Sequence, residues 1–225
     1  MLHSDRYGHH AGLDLHIRTK IYEFYSYIES AALRMGHYLL HVEQDGLTLD
    51  SKAYSYDDLP LTFGHGDLHY QIELLVHDEE QTKIRVLLHD SSEIFFTFYK
   101  HFLHILVSGN SKDFGDSVGL LGKFGSGDMI ARGGALMENM EDFAHSWQVH
   151  PDTDGQLFKE VRTPQFPEET CRMPTVEAPS RRRLRADSAL YNQAKEACAQ
   201  KAGAHIQACI EDVLATGDIG LANIW

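Results

Sequence analysis

The chain is short of cysteine, of positive charge and of long apolar runs, and each shortage excludes something. It has 3 cysteines in 225 residues, so a dense disulfide framework is ruled out. Basic residues number 20 against 33 acidic ones, a formal net charge of −13. That balance argues against nucleic-acid binding and against docking on an anionic membrane surface. No apolar stretch approaches the roughly 18 residues that a spanning helix needs. Met1 is followed at once by Leu2, His3, Ser4 and Asp5, which is no signal peptide. The chain reads either as cytosolic or as a fragment that begins inside a larger gene product, and the second is favoured. There is no internal repeat and no low-complexity tract.

What is present reads as β-structure. Leu13, Leu15, Ile17 and Thr19 alternate with Asp14, His16, Arg18 and Lys20, the period of a half-buried strand. Tyr22 to Met35 is richer in aromatics, then in alanine, and predicts a second long strand, although Ser30 to Met35 also suits a helix by propensity alone. Leu39 to Glu43 predicts a third, and Asp45-Gly46 is a strong hairpin signal before Leu47 to Leu49. Strands are expected around Leu59 to Phe63, Tyr70 to His77 and Lys83 to His89. Ile94 to Lys100 and Phe102 to Ser108 are apolar on both alternating sets, as in strands buried on two faces. Strands at this spacing predict an antiparallel β-sandwich.

Ser117 to Val149 stands apart. A small apolar strand leads into a loop with glycines at 119, 122, 125, 127, 133 and 134. A short helix follows, with Asn139 as N-cap and Glu141 and Asp142 at the positive end of its dipole. Phe143 and Trp147 fall on one helical face and are expected to staple it to the sheet. Residues 151–186 are broken by prolines and carry the basic run Arg181 to Arg185, so they read as a connector. That run suits a solvated segment, a proprotein cleavage site or a nuclear signal. From Asp187 the spacing turns helical: Leu190, Ala194, Ala197 and Cys198, then Ile206, Cys209, Ile210 and Val213. The chain therefore divides into residues 1–150, a connector and a helical tail over 187–225.

The Gly119-Leu120-Leu121-Gly122 loop with Phe143 and Trp147 downstream resembles the carboxyl-terminal half of a von Willebrand factor type D domain. The resemblance covers roughly residues 2 to 150. The segments Ile17 to Ile21 and Ser26 to Arg34, with the tail from Ala197 to Asp218, are similar to a cysteine-poor, algal-type branch of that family. The resemblance implies a non-catalytic extracellular or cell-surface module for binding, adhesion or assembly. Its partners would be proteins or glycans in an extracellular matrix, or the rest of a larger multidomain chain. It assigns structural roles to Gly119, Gly122, Phe143 and Trp147. This chain departs from the family at three points. The opening Gly-Asp-Pro-His strand and its cysteine are missing, which would leave a sheet edge open near Leu13 to Lys20. The loop cysteine of the family is Leu121, and the asparagine after it is Lys123.

Type D loops bind calcium, and a hard cation wants six to eight oxygens. Here Asp128 is the one carboxylate within the loop, with Asp116 upstream and Glu138 beyond as further candidates. Lys123 puts a cation where a ligand belongs, and no other cofactor is expected. The tail and the missing opening cysteine lead to the expectation that Cys198 pairs with Cys209 and that Cys171 stays single. One unbroken helix would hold the paired residues about 16 Å apart, so the helix must break, and Gly203 is the expected stop.

The rival expectation is a hydrolase. His65, Asp67 and His69 can present two imidazoles and a carboxylate, as a zinc or acid–base cluster would. Gly115-Asp116-Ser117 resembles the nucleophile block of a lipase family, without its late Asp-x-x-His. An enzyme would gather these side chains in one cleft. A third expectation is a truncated product with no function of its own.

Overall fold

A computed structural model describes residues 2–5, 7, 11–22, 25–88, 92–149, 155–158, 160, 188–203 and 205–225. Cys171, the Arg181 to Arg185 run and most of the connector lie outside the described residues. The chain is mainly β, with two antiparallel sheets and helices near its C-terminal end.

The first sheet is built from β1 (Leu2–Ser4), β2 (Leu13–Tyr22), β3 (Tyr25–Met35), β4 (Tyr38–Glu43), β5 (Gly46–Leu49) and β6 (Lys52–Tyr54). It is completed by β12 (Val118–Gly119), in the order β12-β1-β2-β3-β4-β5-β6. The second contains β7 (Leu61–His65), β8 (Leu68–His77), β9 (Gln81–Leu87), β10 (Glu93–Tyr99) and β11 (Phe102–Ser108), in the order β11-β10-β9-β8-β7. Period-two alternation turns one face of each sheet inward. Leu13, Leu15, Leu33, Leu40 and Val42 from the first meet Ile72, Ile84, Val86, Ile94 and Phe96 from the second in one buried cluster. That shared core gives the pair of sheets a sandwich-like form.

The edge expected to lie open is covered for part of its length. Leu2, His3 and Ser4 pair with Leu15, Asp14 and Leu13, so β1 fills the place beside β2. The covering strand is three residues long, and among the described residues no strand pairs with Ile17 to Tyr22 on that side. A bulge between Arg18 and Thr19 adds twist there, one way in which such an edge is blunted. The sequence gives no clear signal for β6, whose three residues are largely exposed.

The outer face of the first sheet is also covered. Asp14, His16 and Ala32 point away from the shared core yet are 6 %, 3 % and 0 % exposed. The Arg18 guanidinium lies over the Phe158 ring at 4.2 Å and donates to the Glu160 carbonyl at 2.7 Å. His41 meets the same Phe158 ring at 5.7 Å. The start of the connector therefore runs across this face.

Four helices matter below: α1 (Ser111–Phe114), α2 (Met140–Ser146) and the tail pair α3 (Ser188–Cys198) and α4 (His205–Thr216). The tail makes a second core. Ala194, Cys198, Cys209, Ile210 and Val213 pack with Tyr99 of β10, and Phe102 of β11 closes over them. Lys100 pairs with Asp218 at 2.5 Å, and the Tyr99 hydroxyl donates to the same carboxylate at 3.2 Å. The helix does break, and Cys198 and Cys209 are bonded with Cα atoms 5.9 Å apart. The break comes earlier than the glycine suggests: α3 ends at Cys198 itself, and Gly203 lies in the turn with φ +39°. With 11 residues of sequence separation, the bridge is expected to contribute about 3 kcal/mol to the tail. Replacing both cysteines by alanine should lower the unfolding free energy of α3 and α4 by that order in hydrogen exchange. Protection of β8 to β10 should stay unchanged.

Candidate functional site

The glycine-rich loop grows out of β12 and is held by its own backbone. Gly122 N–H donates to the Gly119 carbonyl, Lys123 N–H to the Asp128 carbonyl and Gly127 N–H to the Lys123 carbonyl. Gly122 has φ +83°, and a Cβ there would sit 2.6 Å from the Gly127 carbonyl oxygen. Only glycine fits that close approach. Gly119 has a different task, pairing with Leu2 across the sheet.

Downstream, α2 is capped as the sequence indicates, since the Asn139 side chain accepts from the N–H groups of Glu141 and Asp142. Phe143 and Trp147 are both buried. The Trp147 indole donates to the Ile130 carbonyl at 3.0 Å. Arg132 donates to the Trp147 carbonyl and lies over its ring at 5.7 Å. The staple therefore ties the helix to the returning arm of the loop.

Between these parts lies an open depression of about 470 Å³ lined by Gly115, Asp116, Val118, Lys123, Ile130 and Gly134. Asp116 is the carboxylate on its wall, and its oxygens are occupied. They accept from the Ser4 hydroxyl at 2.7 Å and the Asp5 N–H at 3.1 Å, which tie the start of the chain to the loop. Ser117 is 1 % exposed and its hydroxyl donates to the Phe114 carbonyl at 2.7 Å. Neither side chain is placed as an activated nucleophile or its base.

The other candidates are scattered. Asp128 accepts from the Ser126 hydroxyl at 2.7 Å, and Glu138 lies further along the chain, after the Ile130–Leu136 bridge. Among the described residues no three histidine, cysteine or acidic groups converge as a metal site would require. Asp128 thus stands as a single carboxylate in the loop, with one oxygen held by Ser126. His65, Asp67 and His69 are exposed at the β7–β8 hairpin. His65 pairs with Leu68 and Gly64 with His69, so the two imidazoles fall on opposite faces of the ribbon. They do not form a cluster, and they are not part of the depression.

A polar network that the local sequence pattern does not reveal lies beside β1. His3 Nδ1 meets the Asp14 carboxylate at 2.5 Å, and Arg34 donates to the other oxygen. Burial works against ionisation of Asp14. The hydrogen bonds from His3 and Arg34 outweigh it and hold the carboxyl below its ordinary range. The bond to Asp14 lifts the His3 imidazole above its usual 6.5, against the opposing effect of burial. His16 is buried on the same face, and desolvation pushes it down to about 4. The alternation of Asp14, His16 and Arg18 is visible in the sequence, but it reads there as a solvent face.

Exposed apolar side chains gather along this segment. Of the large hydrophobic residues exposed among the described ones, Leu120, Leu121, Phe124, Leu136 and Met140 all belong to it, with Leu121 at 76 % and Met140 at 75 %. No helix among the described residues is long and apolar enough to cross a membrane. No family model matches the chain, and no curated protein matches it.

Two outcomes follow. Adding a chelator such as EDTA should leave the melting temperature unchanged, whereas a drop of several degrees would mean that a bound ion contributes roughly 1 kcal/mol or more. Titration of His3 by NMR should give a pKa above 6.5, and Asp14→Asn should remove the rise. A raised histidine stabilises the fold fully below its unfolded pKa and loses that effect as pH climbs through its folded pKa. A depressed carboxyl contributes above its unfolded pKa and loses that effect as pH falls through its folded one. The pair is thus expected to stabilise the fold between Asp14's folded value and His3's.

Proposed function

We propose that this chain is a non-catalytic binding and assembly module of the von Willebrand type D kind, working outside the cell or at its surface, with protein or glycan partners. The observation that carries the reading is the concentration of exposed apolar side chains on the glycine-rich loop and the start of α2. Exposed apolar surface of that kind marks interaction sites. The loop is rigidly pinned at Gly122 and at Trp147, so it can present that surface without having to be ordered on binding.

Two further features support the reading. The candidate groups Asp116, Ser117, His65 and His69 hold structural hydrogen bonds or point apart, so none of them forms a nucleophile with an adjacent base. The Cys198–Cys209 bond suits an oxidising compartment. Labelling of intact cells with antibody should find the chain outside, and alkylation with mass spectrometry should find Cys198 and Cys209 oxidised. Leu121→Ser with Met140→Ser should change the unfolding free energy by no more than about 0.5 kcal/mol and release the chain into the medium. A cytosolic chain with free thiols would contradict the reading. So would hydrolytic turnover that Asp67→Ala abolishes.

A further inference from the structure

A second feature lies at the far end of β2. From Leu15, where β1 ends its pairing, to Tyr22 the strand runs seven residues, roughly 23 Å. There Tyr22 pairs with Tyr25 and Lys20 pairs with Tyr27, so these side chains share one face of the hairpin. The turn between β10 and β11 brings His101 and Phe102 against them. Tyr27 meets His101 edge-on at 4.9 Å and Phe102 at 5.3 Å. Tyr25 lies against Phe102 at 6.2 Å, and Tyr22 reaches both Tyr25 at 5.8 Å and His101 at 6.2 Å. Three tyrosines from one sheet and two rings from the other form one connected platform. Phe102 and Tyr27 are half-buried, while Tyr22 is 51 % exposed and His101 is exposed.

Among the described residues, the two lysines beside the platform are paired with carboxylates. Lys20 is paired with Glu29 at 3.4 Å and Lys100 with Asp218 at 2.5 Å. Burial, with the two lysines adding to it, lowers the His101 pKa, which favours the neutral ring. A quaternary ammonium ligand is a poor fit to the described residues, because Glu29 and Asp218, which would help to hold it, are engaged with lysines. A protein partner needs on the order of 800 Å² on each side. Here Tyr22 is the one platform member among the large exposed hydrophobics. The fitting ligand is small, uncharged and two-sided. A pyranose ring has a C–H face whose positive hydrogens suit the negative faces of aromatic rings. Its rim of hydroxyls can exchange hydrogen bonds with tyrosine hydroxyls and an imidazole.

We infer that Tyr22, Tyr25, Tyr27, His101 and Phe102 form a binding platform for a neutral saccharide. This gives the glycan partner of the proposed function a place, and rests on that reading to that extent. The test is affinity electrophoresis of the full chain in native gels containing mannan, xylan or a mixed-linkage glucan. At least one should retard it. Tyr22→Ala should weaken the retardation at least tenfold with an unchanged melting temperature, and Tyr22→Phe should keep most of it, since the ring face remains. Leu121→Ser should be retarded like the parent chain. Failure of all three polysaccharides, or equal retardation of Tyr22→Ala, would overturn the platform. So would binding confined to a sulfated polysaccharide and released by salt, or competition by choline. Loss of retardation in Leu121→Ser alone would place the saccharide at the loop, overturning this site while keeping the binding-module reading.

Discussion

The arrangement of the loop end depends on one short pairing. β1 is three residues long, yet it sits between β12 and β2 and joins parts of the chain more than a hundred residues apart. Its Ser4 hydroxyl and the Asp5 N–H satisfy the Asp116 carboxylate, and His3 completes the network with Asp14 and Arg34. Charge-assisted hydrogen bonds of this sort are the stronger ones, and they fix orientation as well as contributing energy. Without them β12 would lose its pairing partner, and the glycine-rich loop would lose its attachment to the first sheet. A carboxylate that looks reactive in the sequence is thus an anchor in the fold.

The tail is organised by a separate constraint. Its helices bury one face against Tyr99 and Phe102 at the edge of the second sheet, and the disulfide holds them as a pair. Asp218 closes the contact by serving at once as cap for the stretch Ile219–Ile224 and as partner of Lys100 and Tyr99. Phe102 takes part in both the tail core and the aromatic platform. The docked tail and the proposed saccharide site are therefore linked through one side chain, and tail docking helps to keep the platform in place.

Much of this could be read from the sequence where one local rule decides. Alternation at Leu13, Leu15 and Ile17 marks β2, and the doubly apolar run at Ile94 to Tyr99 marks a strand with a sheet on one face and a docked tail beyond it. The distance that a helix would impose between Cys198 and Cys209 forces the break that the structure contains. What could not be read depends on distant pairings. β1 has too few residues to carry a period, and its partners are a strand ten residues on and one near residue 118. Asp14 and His16 fit a solvent-facing pattern, because nothing in β2 announces that both will be buried or that His3 and Arg34 will close on Asp14. The aromatic run after Tyr22 is visible, but His101 and Phe102 lie some eighty residues later and meet it only in the folded chain.

Hydrogen exchange on Asp116→Ala tests the anchoring role most directly. The account expects the amides of β12 and of residues 122–128 to lose protection together with β1, while β8 to β10 keep theirs. Unchanged protection at β12, or a loss spread evenly over both sheets, would contradict it.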